Sequence, residues 1–294
     1  MKGIILAAGK GTRLYPASLP ISKILLSIYD KPMIYYPLCT LIQSGIKDIL
    51  IITNESDIDN YKKVLGNGHQ WGIQLTYRIQ PIQRGIADAF IIAKDWINQE
   101  PIILILGDNL FYGDKVPVLI KKAMQRQKGA TVFGYAVKDP EHFGVVTFDH
   151  QGNAINLEEK PIHPQSNTAV TGLYIYDNTV CDKATQIRPS KRGELEITDL
   201  NNLYLKEARL NAIPMKRGNV WLDAGTPTAL MEATQYIGLI EQRQGLKIAC
   251  IEELVYKRGL INDEQMQTLI NTMKPGSTYR TYLEKVYGEA HENN

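Results

Sequence analysis

The chain has 294 residues, 44% of them apolar and 22% charged, which is enough hydrophobic material for a large core and excludes disorder as the main state. At roughly 150 residues per domain the length allows two units, and the expectation is one large domain with an appendage. With 33 basic against 31 acidic residues the net charge is +2, which excludes a global field able to hold nucleic acid or an anionic membrane, so any anion must be bound by a local site.

The N-terminus, MKGIILAAGKG, has an apolar run from Ile4 to Ala8 that is too short for a signal peptide. No run approaches the roughly 20 apolar residues needed to span a bilayer, so a soluble, cytoplasmic protein is expected. From there, short β-branched runs alternate with longer amphipathic stretches. Strands are predicted over 3–7, 48–53, 73–79, 101–106 and 130–137, and helices near 32–44, 57–65, 85–97 and 116–127. Strands apolar on both faces and separated by helices imply a doubly wound α/β fold with a mostly parallel sheet.

After Asp139-Pro140 the pattern changes. GVVTFD (144–149) and AINLEEK (154–160) are joined by the turn His150-Gln151-Gly152-Asn153, and TGLYIYD (171–177) follows, which predicts an antiparallel excursion. From about Thr226 the chain reads as helical, through 228–244 and then in shorter segments broken by Lys274-Pro275-Gly276. The expected organisation is a main domain over 1–244, with parts at 1–138 and 139–227, and a helical extension over 245–294. Cys39, Cys181 and Cys250 are far apart and lack C-x-x-C spacing, so they read as reduced core thiols.

LAAGKGTRL (6–14) places Gly9, Gly11 and Thr12 directly after a strand, where bare backbone N–H groups can close around phosphate oxygens. Arg13 adds a fixed fork of donors. Leu14 stands where a dinucleotide fingerprint needs glycine, and Ile4 where a P-loop needs one, so the commonest nucleotide folds are rejected. Asp108 follows the strand PIILIL, at the carboxyl edge of the sheet where open α/β proteins bind ligands, and is a good position for a metal.

Ordered along the chain, L-x-x-G-x-G-T-R-L is followed by Ser22-Lys23, Tyr29-Asp30-Lys31-Pro32-Met33, Gln80-Pro81, Gly85 and Leu106-Gly107-Asp108-Asn109. EEKP (158–161), AVTGLYIYD (169–177), RGELEITDLN (192–201), WLDAGT (221–226) and RQGLKIAC (243–250) complete the series. In these motifs the sequence resembles the sugar nucleotidyltransferases, and most closely the glucose-1-phosphate thymidylyltransferases, over nearly its whole length. The resemblance implies transfer of dTMP from dTTP to glucose 1-phosphate with release of pyrophosphate, for deoxysugar and surface-polysaccharide synthesis. It also implies Mg²⁺ held by Asp108 and Asp223, and a homotetramer.

By the same resemblance, Ala8, Gly9, Gly11, Thr12, Arg13, Gln80 and Gly85 handle the nucleotide. Gly144, Glu159, Lys160, Thr171, Gly172 and Trp221 handle the sugar. Arg13, Lys23, Asp108, Lys160 and Arg192 carry the catalysis, with Lys160 and Arg192 on the sugar phosphate. A glutamine amide, with one acceptor and two donors, can complement the N3–H and O4 of thymine or uracil, so Gln80 is expected to help select the base. Phosphate monoesters are already ionised near neutral pH, so none of the five histidines needs a catalytic role.

The chain also departs from the family pattern. Ala8-Gly9 stands for a glycine pair, Ile24 for a glutamine and Ser27 for a proline, Ile86 and Asp88 replace the Leu and Gln of G-L-A-Q-A-F, and Ile251 replaces a proline. These changes bear on nucleotide preference more than on activity, because Asp108, Asp223, Lys160 and Arg192 all remain. UTP or another hexose 1-phosphate, a catalytically silent regulatory subunit, and a dinucleotide-dependent oxidoreductase are the rival readings. The apolar positions of the tail, among them Ile251, Val255, Met266 and Ile270, either cap the core or, as the resemblance implies, help build a tetramer and a second nucleotide-sugar site.

Overall fold

Three apolar runs, β1 (Lys2–Leu6), β4 (Asp48–Thr53) and β6 (Ile102–Leu106), form the parallel heart of the sheet, with the more polar β5 (Gln74–Ile79) on its edge. A two-residue hairpin, β2 (Ser27–Ile28) with β3 (Lys31–Pro32), lies between the first two. Spatially the order is β6-β1-β4-β5 with every pairing parallel. The period of two in side-chain direction explains the unbroken apolar sequence. Ile5, Ile49, Ile51, Ile103 and Ile105 enter one core, while their neighbours Ile4, Leu50, Ile52, Ile102 and Leu104 enter the other, on the opposite face.

The remaining strands are β7 (Asn109–Tyr112), β8 (Ala130–Ala136), β9 (Gly144–Phe148), β10 (Ala154–Glu159), β11 (Thr168–Tyr176), β12 (Leu210–Pro214) and β13 (Val220–Asp223). The structure, a computed structural model, describes residues 1–126 and 128–292, so the end of the helix predicted near 116–127 and the last two residues of the extension lie outside it.

β11 differs from its expected place. Its second half runs antiparallel to β6 on one edge and to β8 on the other, which puts it inside the nine-stranded sheet and not in a separate excursion. Its first half keeps β8 but exchanges β6 for β9, through Ala169 opposite Val145. β9 and β10 form the predicted antiparallel pair, and β12 joins β8 in parallel. The helix predicted over 85–97 is broken at Ala93 into Asp88–Ile92 and Lys94–Ile97. Sequence reasoning did not assign β7, β12, β13 or the helix Ile197–Lys206.

The long helix Pro227–Gln244 starts on a Thr226 hydroxyl that accepts from the Ala229 N–H and ends at Gly245 in the left-handed region. Helices Ile251–Lys257, Asp263–Thr272 and Thr278–Glu292 follow, and the second begins with a reciprocal Asn262–Gln265 capping box. Ile251, Val255, Ile261, Met266 and Ile270 are buried against the main core, with Leu254, Leu260 and Leu269 packed beside them. The tail's apolar pattern is thus accounted for within one chain.

A charge cluster centred on the buried Lys31 and Glu241 fastens this extension to the early hairpin. Lys31, 2% exposed, pairs with Glu241 at 3.0 Å and with Asp30 at 2.5 Å, while Lys247 pairs with Asp30 and with Glu241. Among the described residues no helix is long and apolar enough to cross a membrane.

Candidate active site

The carboxyl ends of the parallel strands gather the loops singled out by the sequence. The Ala7 N–H donates to the Ile52 carbonyl, the Gly107 N–H to that of Leu6 and the Gln80 N–H to that of Thr53, so three loops leave the sheet side by side. In the glycine loop Gly11 has φ 65°, a conformation that a side chain would strain, and it starts the single turn Thr12–Leu14. The Lys23 stem lies against Gly9 and Gly11, where an added Cβ would stand 3.4 Å and 3.1 Å from it. These glycines therefore make room for the lysine as well as exposing backbone donors.

Lys23 points at Asp108 and forms an ion pair with it. The Ser22 hydroxyl caps the short turn that carries the lysine, and both groups of Ser22 are themselves held, its N–H by Asp57 at 3.0 Å and its hydroxyl by Tyr61 at 2.9 Å. Asp108 sits between β6 and β7. β7 pairs antiparallel with β13 so that Asp223 faces Asn109, and the Ala224 N–H donates to the Asp108 carbonyl at 2.9 Å. Two strand ends distant in sequence thus bring two carboxylates to one corner.

Their charges are unequal. Burial works against ionisation of Asp108, yet the Lys23 ammonium and the Asn109 amide, 3.0 Å from Oδ1, hold its carboxyl below the usual Asp range. Burial and then the neighbouring Asp108 charge push Asp223 up to about 6, against the opposing pull of Lys23 and Arg13. The Arg13 guanidinium lies beside Gly225, the residue whose N–H donates to Asp223 Oδ1 at 3.1 Å.

Next to this corner opens a cavity of about 610 Å³. Of the expected site residues, Arg13, Asp108, Gly144, Glu159, Lys160, Gly172, Arg192, Trp221 and Asp223 line it. Arg192 is gripped by Glu196 through Nε and Nη2, at 3.1 Å and 2.8 Å, and has Glu159 and Glu194 each at 3.4 Å. Its Nη1 makes no hydrogen bond among the described residues. Lys160 is exposed, holds an unusual φ of 45° and forms no ion pair among the described residues. Glu159 Oε2 accepts from the Thr198 hydroxyl at 2.6 Å.

Ala8, Gly9, Gly11, Thr12 and Lys23 lie beside this cavity in the glycine loop and the segment it wraps, and do not line it. Gln80 and Gly85 lie farther along the sheet edge. Gln80 is 5% exposed, and its amide nitrogen donates to Asp88 Oδ2 at 3.0 Å and to the Gly85 carbonyl at 3.4 Å. Thr171 is fully buried and its hydroxyl has no partner, so it does not reach the cavity wall.

Three further residues build the site without having been singled out. Asn109 Oδ1 accepts from the Gly172 N–H at 2.9 Å and from the Trp221 indole at 2.6 Å, while its amide braces Asp108. Glu196 holds Arg192, and Thr198 holds Glu159. All three stand inside motifs that sequence reasoning quoted, but only the fold reveals their partners.

A nucleotidyl transferase family pattern matches residues 2–238. The chain belongs to the nucleotidyl transferase family. Within this nucleotidyltransferase family it is similar to the glucose-1-phosphate thymidylyltransferase of Neisseria meningitidis, 48% identical over 96% of this chain and 98% of the relative. The enzyme of that name from Neisseria gonorrhoeae is 47% identical over 98% of this chain and 100% of the relative. A Bacillus anthracis protein described as a glucose-1-phosphate thymidylyltransferase, solved with sucrose, matches with a TM-score of 0.75 at 42% identity, over 80% of this chain and 94% of that one. A UDP-glucose pyrophosphorylase bound to UDP-glucose shares the fold, with a TM-score of 0.72 at 24% identity over 81% and 98% of the two chains.

The residues of the nucleotidyltransferase corner fit a hard divalent cation. Among the described residues no group of three or more His, Cys, Asp or Glu side chains forms a metal cage. Two carboxylates converge on the corner, and burial together with the Asp108 charge holds Asp223 back from ionising. Such a pair suffices for an ion that keeps most of its shell for water and phosphate.

Proposed function

We propose that this nucleotidyltransferase transfers dTMP from dTTP to α-D-glucose 1-phosphate and yields dTDP-glucose. The observation that carries the reading is the single cleft in which the Asp108–Asp223 corner and Arg13 stand beside Lys160, Arg192 and Glu159. Similarity to thymidylyltransferases over almost the whole chain supports the choice of substrates.

In the reaction an oxygen of the sugar phosphate attacks the α-phosphorus, the bond to the β-phosphate oxygen breaks and pyrophosphate departs. Arg13 and Lys23 offset charge on the nucleotide phosphates, and Lys160 and Arg192 do so on the sugar phosphate, so that two polyanions can meet in line. Mg²⁺ held by Asp108 and Asp223 supplies further charge neutralisation at the phosphates. Glu159 accepts from sugar hydroxyls, and Gly144, Gly172 and Trp221 shape the pocket around the ring, while the buried Thr171 stands behind that wall and does not touch the sugar. The backbone of Ala8, Gly9, Gly11 and Thr12 cradles phosphate oxygens, Gly85 shapes the base loop and Gln80 reads the base.

Residues 1–138 then serve mainly the nucleotide, 139–227 mainly the sugar phosphate, and 245–294 form an extension; the working unit is a homotetramer. Three buried thiols without disulfides suit a reducing compartment, which supports a cytoplasmic location. Pyrophosphate release, measured for a matrix of nucleoside triphosphates against hexose 1-phosphates, should peak at dTTP with glucose 1-phosphate. UTP should come next, lower by roughly 10–200-fold at most, because one methyl group in an apolar pocket is worth about 1–3 kcal/mol. Absence of release for every pair overturns the reading.

A further inference from the structure

A glutamine amide can be turned two ways, presenting either an acceptor or two donors to a ligand. At Gln80 the surroundings decide between them. Its Nε2 faces Asp88 Oδ2 at 3.0 Å and the Gly85 carbonyl at 3.4 Å, both acceptors, so each amino hydrogen is engaged within the protein. Oε1 makes no hydrogen bond among the described residues. Asp88 is 1% exposed, and its other oxygen takes a 2.8 Å bond from the Arg84 guanidinium, so both of its oxygens are engaged as acceptors. Turning the amide over would set its oxygen against two acceptors in a buried place.

From this we infer that Asp88, held by Arg84, is a specificity-determining positioning residue. It locks Gln80 with its oxygen toward the base and so selects nucleotides whose ring carries N3–H. The inference rests on the reading that Gln80 faces the base. Thymine and uracil offer that donor, whereas cytosine at N3 and adenine at N1 present lone pairs to a fixed lone pair. Both Gln80 amino hydrogens being occupied, the base O4 takes its partner from another group. Asp88 replaces a residue able both to donate and to accept, so the lock is a property of this chain.

Asp88→Asn keeps the shape but can donate as well as accept, which frees Gln80 to turn. Activity with dTTP, UTP, dCTP and ATP should be measured for this variant, for Gln80→Ala and for the double variant. Asp88→Asn should lower the dTTP-to-dCTP ratio of kcat/KM by about tenfold or more, acting through the nucleotide KM and leaving the glucose 1-phosphate KM as it was. In the Gln80→Ala background the same change should leave the ratio where Gln80→Ala alone put it.

Arg84→Met, at a half-exposed side chain, gives a second route if Asp88→Asn fails to fold, and should shift the ratio in the same direction only while Gln80 is present. An unchanged ratio in the folded variants, or an equal shift with and without Gln80, overturns the inference. Turnover of dTTP and glucose 1-phosphate by the unaltered enzyme in the same series separates that result from a failure of the proposed function.

Discussion

At the corner proposed to hold the metal, two carboxylates, Asp108 and Asp223, stand with one lysine, Lys23, paired to Asp108, whereas at the corner proposed for the sugar phosphate a single arginine is held by Glu196 with Glu159 and Glu194 close by. In the first arrangement burial, and after it the Asp108 charge, raises Asp223 in spite of Lys23 and Arg13. The second is largely satisfied in advance: Arg192 keeps its orientation before any phosphate arrives, with Nη1 and the unpaired Lys160 left for the ligand. Under the proposed function, reaction charge is therefore met at a corner whose two carboxylates are unequally charged, and substrate geometry by groups already fixed.

The strongest way to break this contrast is Asp108→Asn. Turnover should fall by roughly 10²–10³, the usual cost of removing one transition-state electrostatic contact, while the melting transition stays cooperative. Unchanged turnover that still needs a divalent ion would refute the metal assignment.

Next comes Arg192→Ala, which should raise the glucose 1-phosphate KM by roughly 10–100-fold, since a hydrogen bond to a charged group contributes about 1.5–3 kcal/mol. Lys160→Ala should cost less, because it releases no carboxylates to repel the phosphate. Calorimetry showing both variants losing dTTP, with sugar-phosphate binding intact, would reverse the two corners.

A third measurement reads stability. The folded-state pKa of Asp223 lies above its unfolded value, so its contribution to stability is fully present below about pH 4 and is lost as pH rises through about 6. Asp223→Asn should accordingly stabilise the chelator-treated protein at pH 8 by about 1–3 kcal/mol, while turnover collapses. Equal denaturation midpoints for the two proteins at pH 8 would show that the corner carries no such cost. The smallest effect expected is a several-fold rise in the glucose 1-phosphate KM for Thr198→Val, whose hydroxyl steadies Glu159 and contributes about 1 kcal/mol. An unchanged KM would mean that Glu159 is positioned by Arg192 alone.

Much of this was legible in residue order. β1, β4 and β6 announce themselves because a strand buried on both faces needs an unbroken apolar run, β5 at the sheet edge shows instead a mixed QLTYRI pattern, and Asp108 is marked by its place at the end of β6. β7 and β13 were not legible. Each is four residues long, and what makes NLFY and VWLD strands is pairing across about 110 positions, which no local pattern encodes. β11 was seen as a strand but set in the wrong neighbourhood, because its partners lie on three different segments. At the site, Asp88 stood out as a departure and Asn109 as part of a motif, yet their contacts to Gln80, Gly172 and Trp221 arise only on folding.

β11 has a mechanical consequence as well. One strand is hydrogen-bonded to β6 on the side proposed for the nucleotide and to β8 and β9 on the side proposed for the sugar, so the two halves are dowelled together by a shared plank. A hinge between them would have to tear ladder bonds from the middle of the sheet. The shared strand therefore opposes large-scale hinge closing of one half over the other. Under the proposed function the substrates would meet a cleft already formed by the sheet, with adjustment left to the loops at its rim.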